Sequence, residues 1–391
     1  MMIAALVAIV GIAFTAPAFA VEHEFGGYFR VRAFTNQYFD GSDKVIDKDR
    51  ADQSMFDSRT RLFYTAKIND NLKFVNAFEM DADWGDDGYG DVGSDGVKVE
   101  VKRSYIDFNL GALNAKLGTQ GATLSRGFIF DDDFSGAVLS FGSTAFVFAK
   151  AEETGANMGN DRSFFTLMHT ISTDSFSITP EVTYVDIENS SYAYFLALNA
   201  DMNFGAASVW TTLIYEGGEC DKGTFGTTRD KDISAYLVAV GGDFAATDAL
   251  SFHGQAFYAS GDDDSTDGDS EGFGALTDAV DAKGNNVYMP GNSYYWAEIM
   301  GLGTFDDFGS AGSPADDISN IVAFNLGTTF KASEKLSLSF DVWYAMLAED
   351  NASNDDGLGT EVDVQATYQL IDGLTLDVVA AYLFADDATY D

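Results

Sequence analysis

Residues 361–370 read Glu-Val-Asp-Val-Gln-Ala-Thr-Tyr-Gln-Leu, so that every second side chain is apolar or aromatic and the others are polar. A segment with this period of two has one apolar and one polar face when it forms a β-strand. Residues 164–171 and 251–259 repeat the pattern. About seventeen segments of roughly 8–15 residues follow it, and no amphipathic helical segment of comparable length is present. The sequence therefore predicts an all-β fold.

The connections between these segments alternate between short and long. The turns at 69–71 and 333–335 are tight, whereas 36–53, 85–96 and 261–317 are long and rich in Asp and Gly. Short turns on one side and long loops on the other are typical of a transmembrane antiparallel up-and-down β-barrel. Such a sheet has to close, because lipid offers no partner to an unpaired backbone group. We therefore predict a barrel with a long external loop at 261–317.

The strand count of the predicted barrel lies between about 16 and 18. Bacterial single-chain barrels have an even number of strands, and seventeen is odd. The last segment, 374–385, runs outward, and the chain ends on Asp391 rather than on an aromatic residue. We favour eighteen strands and expect the last strand to be missing from this chain. The alternative is a complete barrel of sixteen with one false strand, for which 136–141 and 144–152 are the weakest segments.

The amino terminus has the pattern of an export signal. Residues 1–20 contain an apolar core and end on Ala18-Phe19-Ala20, although no Lys or Arg precedes the core. A small-x-small end after such a core is typical of a secretory signal peptide, and a retained anchor helix is the alternative. After residue 20 no apolar run reaches 18 residues, so no helical membrane span is predicted. We expect residues 21–391 to be exported through the periplasm into the cell outer membrane.

Composition narrows the class of protein further. The net charge is −40, which excludes the basic surface that nucleic-acid binding needs. Aromatic residues make up 14% of the chain, as expected if they cover a lipid-facing surface and its interfacial girdles. The expected partners are outer-membrane lipid and lipopolysaccharide.

Basic residues are concentrated in the first third of this acidic chain. Strand alternation places Arg30 and Arg32 on one face of their strand and Arg59 and Arg61 on one face of theirs. A charge on the lipid face costs roughly 2–4 kcal/mol at the bilayer midplane, so these faces should line the lumen. Arg103 breaks the alternation, which predicts a β-bulge. The predicted pore-lining basic residues are Arg30, Arg32, Arg59, Arg61, Lys98, Lys102, Lys116 and Arg126.

A third predicted loop, 121–135, contains Asp131, Asp132 and Asp133. If this loop folds inward, its aspartates would face the basic residues across a constriction and create a transverse field. The alternative is that the basic residues pair with carboxylates on neighbouring strands. These carboxylates are Glu79, Asp81, Asp83 and Asp107.

A metal site and an enzyme active site have weaker support. Asp262, Asp264, Asp267 and Asp269 form an acidic stretch that is a weak calcium candidate, but it lacks the spacing and the closing Glu of an EF-hand loop. The three histidines are isolated, and no Ser-His-carboxylate or metal-ligand spacing appears. We expect no enzyme activity, no cofactor and no metal.

Several motifs resemble those of a known family. They are residues 25–32 (Phe-Gly-Gly-Tyr-Phe-Arg-Val-Arg), 58–62 (Ser-Arg-Thr-Arg-Leu), 117–120 (Leu-Gly-Thr-Gln), 126–128 (Arg-Gly-Phe) and 133–138 (Asp-Phe-Ser-Gly-Ala-Val). The chain resembles the outer-membrane porins of Gram-negative bacteria, and in particular the eighteen-strand porins that include the alginate-export type. Relatives often have Gly-Arg-Gln where this chain has Gly-Thr-Gln at 118–120, which removes one expected basic residue.

A barrel of this size leaves an aqueous channel. The expected function is therefore an outer-membrane porin whose water-filled channel lets small hydrophilic solutes or ions diffuse passively. Three alternatives remain: an exporter of an anionic polysaccharide, a barrel sheath for a partner protein, and an adhesin with a sealed lumen. Solute identity and ion selectivity stay open, and so does the choice between monomer and homotrimer.

Overall fold

The computed structural model describes most of the chain outside the amino terminus and several long loops. The described residues are 21–36, 53–85, 90–93, 98–152, 161–187, 191–222, 230–264, 266–274, 278–280, 286–288, 297–301, 303, 318–350 and 355–389. The predicted signal peptide, 1–20, lies outside these residues, and so does much of 261–317.

The described residues form strands joined by turns, with short 3-10 segments at Ser125–Gly127 and Asp387–Thr389. The strands of the first half are β1 (Glu22–Asn36), β2 (Gln53–Asn69), β3 (Leu72–Asp83), β4 (Glu100–Leu110), β5 (Leu113–Leu124), β6 (Phe130–Phe141), β7 (Thr144–Glu152), β8 (Arg162–His169), β9 (Ile171–Ser172), β10 (Phe176–Ile187) and β11 (Tyr192–Asn203). The strands of the second half are β12 (Ala207–Cys220), β13 (Lys231–Ala245), β14 (Leu250–Ala259), β15 (Asp269–Ser270), β16 (Asp278–Val280), β17 (Asn286–Tyr288), β18 (Ile321–Lys331), β19 (Leu336–Leu347), β20 (Gly357–Ile371) and β21 (Leu374–Ala385).

Nineteen of these strands form one sheet, and β16 pairs separately with β17. The long strands pair antiparallel with their neighbours in the chain, as in an up-and-down barrel. Both β8 and β9 pair with β10, so they are two pieces of one interrupted strand, and β15 is a two-residue strand parallel to β13. Leaving out β15 and counting β8 with β9 gives seventeen successive strands, the number of segments predicted. The two weakest predictions, β6 and β7, are both present.

The two ends of the sheet are β1 and β21. Within the described residues β1 pairs with β2, β21 pairs with β20, and no ladder joins β1 to β21. The predicted eighteenth strand therefore stays a prediction. No helix among the described residues has the length and hydrophobicity needed to cross a membrane.

The alternation of side chains gives the sheet an apolar outer face and a mixed inner face. Phe25, Phe29 and Val31 on β1 are exposed, as are Leu196 and Leu198 on β11. The residues between them point to the other face, which carries the charged ladder of β1 and the buried cluster of β11. Exposed apolar rows around the outside are what a lipid-facing surface requires.

The predicted β-bulge is confirmed. Ala77 on β3 lies opposite Arg103 of β4, whereas the next residue, Phe78, lies opposite Val101, so Lys102 is the extra residue. An extra residue lets consecutive side chains leave one face of the strand. The bulge therefore brings the Lys102 and Arg103 side chains to the same carboxylate, Asp133.

One connection departs from the prediction. The predicted third loop, 121–135, is mostly strand, because β5 continues to Leu124 and β6 begins at Phe130. That the insertion 261–317 is an external loop stays a prediction, and its described parts pack on inward-facing residues, with Phe273 against Phe195 of β11. Phe273, Ala297 and Met300 are fully buried. Their apolar side chains explain why these parts of a polar insertion turn toward the barrel.

Candidate functional site

The inner face of β1–β5, here called the basic wall, carries alternating arginines and carboxylates in register. Arg30 lies opposite Arg59, and Arg32 lies opposite Asp57. On β2 and β3, Arg59 faces Asp81 and Arg61 faces Glu79. Directly opposite residues of an antiparallel pair share a face, so these side chains form one ladder, as the sequence predicted.

Three of the four predicted arginines are paired with carboxylates. The Arg32 Nε donates to both oxygens of Asp57, at 3.0 and 2.9 Å. The Arg59 Nε and Nη2 each lie 2.8 Å from an oxygen of Asp81, which is a bidentate pair. The Arg61 Nε donates to Glu79 at 2.6 Å. Structural pairing, the alternative considered from the sequence, therefore accounts for most of the charge on this ladder.

Arg30 differs from the other three arginines. Its Nε and Nη2 atoms are buried and have no hydrogen-bond partner among the described residues. Its nearest charged neighbours on the wall include two further arginines, Arg32 and Arg59. A guanidinium group cannot lose its proton at physiological pH, so Arg30 keeps a positive charge that no hydrogen-bonded carboxylate among the described residues offsets.

The middle of the basic wall is organised around Glu79, which is only 2% exposed. Besides Arg61, its carboxylate is approached by the Arg59 Nε at 3.5 Å and the Lys102 Nζ at 4.0 Å. One buried carboxylate therefore offsets charge from three basic side chains. A buried carboxylate is tolerated when it is paired and hydrogen-bonded in this way.

The remaining predicted basic residues are placed as follows. Lys116 of β5 lies opposite Asp107 of β4, on the basic wall. Lys98 precedes β4, and its side chain is 89% exposed with Glu100 at 3.9 Å, so it lies at the rim rather than on the ladder. Arg126 is separated from the basic wall and lies against the opposite side of the barrel, as described below.

The predicted loop aspartates belong to β6. Register places Asp131 opposite Thr123 and Asp133 opposite Gly121, and consecutive strand residues point to opposite faces. Asp131 accepts a hydrogen bond from the Thr123 hydroxyl at 2.7 Å, and Asp133 accepts one from Arg103 at 3.2 Å. Because they alternate along a strand, the three aspartates do not form one acidic surface. That they border the pore stays a prediction.

The segment between β5 and β6, here called the tip (125–129), turns inward and contacts distant strands. Ser125 and Arg126 both have positive φ, at 45° and 61°, which makes a sharp turn. The Ser125 backbone N and its hydroxyl donate to Glu181 of β10 at 3.3 and 3.1 Å. Phe128 packs on Phe257 of β14 with ring centroids 5.8 Å apart. The connection therefore reaches inward to β10 and β14, and it is shorter than the loop expected from the sequence.

Arg126 fastens the tip to β11 and β12. Its Nη2 lies 2.7 Å from Asp201, and its Nε donates to the Thr212 hydroxyl at 3.1 Å. Its guanidinium carbon lies 5.0 Å from the ring centroid of Trp210. A charge-assisted hydrogen bond and a cation–π contact together hold the side chain in one position.

The inner face of β10–β20, here called the anchoring wall, uses other carboxylates to hold the long insertion. Glu216 of β12 accepts a hydrogen bond from the Gly274 backbone N at 2.7 Å. Glu361 of β20 accepts two, from Ile299 at 2.6 Å and Met300 at 2.8 Å. Glu181 of β10 binds the tip in the same way. Three buried carboxylates of the anchoring wall therefore accept hydrogen bonds from backbone N–H groups of segments that enter the barrel.

A polar network of His253, Asp341 and Asn325 lies on the same wall. The His253 Nε2 of β14 is 2.7 Å from Asp341 of β19, and the Asn325 Nδ2 of β18 donates to the same oxygen at 3.0 Å. Gly327 makes room for this contact, because a Cβ there would lie 2.1 Å from the His253 Nε2. No local pattern in the sequence marks this network, since its members are far apart in the chain.

The acidic stretch of the insertion does not bring together the four aspartates that were the calcium candidate. Asp264 accepts hydrogen bonds from Thr266, and Asp267 accepts one from the Asp269 backbone N at 2.8 Å, so both are used within local turns. The carboxylates that approach one another are Asp262, Asp263 and Glu271. Asp262 also lies 3.1 Å from the Lys231 Nζ. This exposed cluster has no feature beyond its charge that points to a metal.

Comparisons with known proteins agree with this architecture. No protein-family model and no curated protein matches the sequence. Among solved structures, OccAB1 of Acinetobacter baumannii matches 94% of this chain and 91% of its own, with a TM-score of 0.57 and 11% identity. OccK11 (OpdR) of Pseudomonas aeruginosa matches 95% of this chain and 90% of its own, with a TM-score of 0.54 and 13% identity. The outer membrane protein OpdK of Pseudomonas aeruginosa matches 94% of each chain, with a TM-score of 0.56 and 9% identity.

The chain has the fold of these outer-membrane proteins. The predicted fold class, a transmembrane antiparallel up-and-down β-barrel, is therefore confirmed. The more specific resemblance to the alginate-export type stays a prediction from sequence motifs.

Proposed function

We propose that the protein is an outer-membrane channel through which small hydrophilic solutes diffuse passively, with small anions favoured along the basic wall. The observation that carries this proposal is the division of the strands, whose outer rows are exposed and apolar while their inner rows carry ion pairs and Arg30. Such a wall suits water and ions inside and lipid outside. Transport of this kind needs no catalytic group, cofactor or metal.

Solute preference follows from the charge that remains after pairing. The carboxylates offset the charge of Arg32, Arg59 and Arg61, whereas Arg30 has no such partner among the described residues. An anion passing the ladder would therefore meet one guanidinium group whose charge no hydrogen-bonded carboxylate offsets. OpdK, one of the proteins with this fold, was solved with vanillate, so a small aromatic carboxylate is a suitable first probe.

Two alternatives from the sequence are less well supported. A sheath for a partner protein needs an open lumen, but the tip and parts of the insertion contact the anchoring wall. An exporter of an anionic polysaccharide needs a continuously basic lumen, but the anchoring wall carries buried Glu181, Glu216 and Glu361. A small-solute channel is compatible with both features.

The test is conductance in planar lipid bilayers, with liposome swelling as a second assay. We expect discrete single-channel steps in KCl and swelling in small solutes that declines as solute size increases. Addition of vanillate should reduce the current of the native protein more than that of an Arg30→Ser variant. Folded protein that inserts into the bilayer without conducting would contradict the channel proposal.

A further inference from the structure

A polar cavity lies on the anchoring wall beside Arg126, well separated in sequence from the basic wall. Its volume is about 320 Å³, and it is lined by Arg126, Trp210, His253, Gln255, Asn325 and two glycines. We propose that this cavity is a binding site for a neutral polyhydroxylated solute of monosaccharide size. The proposal rests on the channel function, because the residues that line the cavity lie on the inner face of the barrel.

The first side of the cavity is built around Arg126. Asp201, Thr212 and the Ala200 carbonyl use its Nε and Nη2 atoms, and no described residue bonds the third nitrogen, Nη1. The Trp210 indole under the guanidinium group lies against Gly241, where a Cβ would come within 2.4 Å of the ring. Arg126 is thus fixed in place with one nitrogen free to donate to a solute.

The second side is built around His253. Its Nε2 is held by Asp341, and Asp341 is held in turn by Asn325. The ring donates through Nε2 to the carboxylate, which leaves Nδ1 for a hydrogen bond to a solute. No described residue bonds that atom. Gly327 is needed for this arrangement, since any side chain there would enter the space between the imidazole and Asp341.

A free donor on Arg126 and the free Nδ1 of His253 complement hydroxyl groups, because a hydroxyl both accepts and donates hydrogen bonds and pairs with Nδ1 in either protonation state of the ring. Amide groups of Gln255 and Asn325 extend the polar lining. Both Arg126 and His253 already have a carboxylate partner, Asp201 for Arg126 and Asp341 for His253. Asp243 lies opposite His253 in the β13–β14 pair and adds a further negative charge. An anion is therefore disfavoured here, in contrast to the position of Arg30 on the basic wall.

The experiment measures block of single-channel current by glucose, with gluconate as the anion of matched size. We expect glucose to interrupt the current of the native channel at lower concentration than gluconate does. His253→Ala should raise the apparent Kd for glucose about tenfold, the effect of losing one oriented hydrogen bond to the solute. Gln365→Ala serves as the control, because Gln365 lies on the inner face of β20 and does not line the cavity; it should leave the apparent Kd unchanged.

The outcomes separate this inference from the channel proposal. A native channel that conducts KCl but is not blocked by glucose, or is blocked more tightly by gluconate, would overturn the binding site and leave the channel function intact. A loss of block that is equal in His253→Ala and Gln365→Ala would also overturn it. Folding of each variant is checked by its heat-modifiable migration in electrophoresis. His253→Asn, which keeps a polar side chain at this position, replaces His253→Ala if the latter does not fold and should also raise the Kd.

Discussion

The basic wall and the anchoring wall are built from the same alternating strands, yet they use their inward carboxylates for opposite purposes. On the basic wall, Glu79 and Asp81 bind arginine side chains of the neighbouring strand. On the anchoring wall, Glu216 and Glu361 bind backbone N–H groups of the insertion. On the basic wall the charged groups border the lumen. On the anchoring wall the bound parts of the insertion occupy part of the lumen. An inward carboxylate bound to an arginine side chain therefore affects the ion selectivity of the channel. One bound to backbone N–H groups of the insertion affects the width of the lumen.

The largest effect should come from removing an anchor. Glu361→Ala leaves the backbone N–H groups of Ile299 and Met300 without their acceptor, and each unsatisfied buried group costs about 1–3 kcal/mol. The segment 297–301 should then leave its position, and single-channel conductance should rise about twofold as the lumen widens. Asp81→Ala on the basic wall removes the same charge without releasing a segment. Equal changes in conductance for the two variants would contradict the distinction between the walls.

The next effect concerns the centre of the basic wall. Glu79→Ala leaves Arg59, Arg61 and Lys102 without their shared carboxylate. Breaking a buried pair costs about 3–5 kcal/mol, and the water-filled lumen should reduce this to roughly 2 kcal/mol of unfolding free energy. Urea denaturation in detergent micelles measures the loss, and the reversal potential should shift toward anions. Glu100→Ala, at an exposed pair with Lys98, is the control and should change stability little.

The difference between the walls also shows how far the sequence could be interpreted. The strand pattern of β19–β21 was predictable because each strand has a regular period of two, and β20 is joined to β21 by a short turn. The basic ladder was predictable for the same reason, since Arg30 and Arg32 are two residues apart. The bulge at Lys102 could be predicted because a charged residue appeared where an apolar one was due.

The anchoring wall was not predictable in the same way. The partners of Glu361 are backbone groups of Ile299 and Met300, which any residue type supplies, so no sequence signal marks them. The side-chain partners of Arg126 lie 75 and 86 residues away, and neither has a matching local pattern. The only sequence signal of the anchoring carboxylates was an aspartate or glutamate on an inward strand face that is otherwise apolar. Alternation shows that such a residue points inward, but it does not show what it binds.

A smaller effect should separate Arg30 from its paired neighbours. Arg30→Ser removes the one ladder arginine without a partner among the described residues, so the reversal potential should shift toward cations. The double variant Arg32→Ser/Asp57→Ser removes a neutral pair of similar size and should shift it much less. Reversal potentials in a KCl gradient measure both. The difference should be clear near 0.1 M salt, where the Debye length is about 10 Å, and nearly vanish at 1 M, where it is about 3 Å. A similar shift in both variants would mean that pairing does not determine selectivity.

The smallest effect should lie outside both walls, in the acidic insertion at the mouth. The hydrogen bond between Glu271 and Asp263, and the charge of Asp263, raise the pKa of Glu271 above its ordinary value. The folded loop therefore holds a proton that the unfolded chain releases at lower pH, so local stability should be highest below the ordinary carboxyl range and fall as pH rises through the raised pKa. Hydrogen exchange of residues 266–274 should accelerate over that interval. Glu271→Gln should abolish the pH dependence, whereas Glu334→Gln in the turn at the opposite end of the barrel should preserve it. Exchange in the native protein that is independent of pH, after correction for the intrinsic rate, would show that the carboxylates at the mouth are solvated independently of one another.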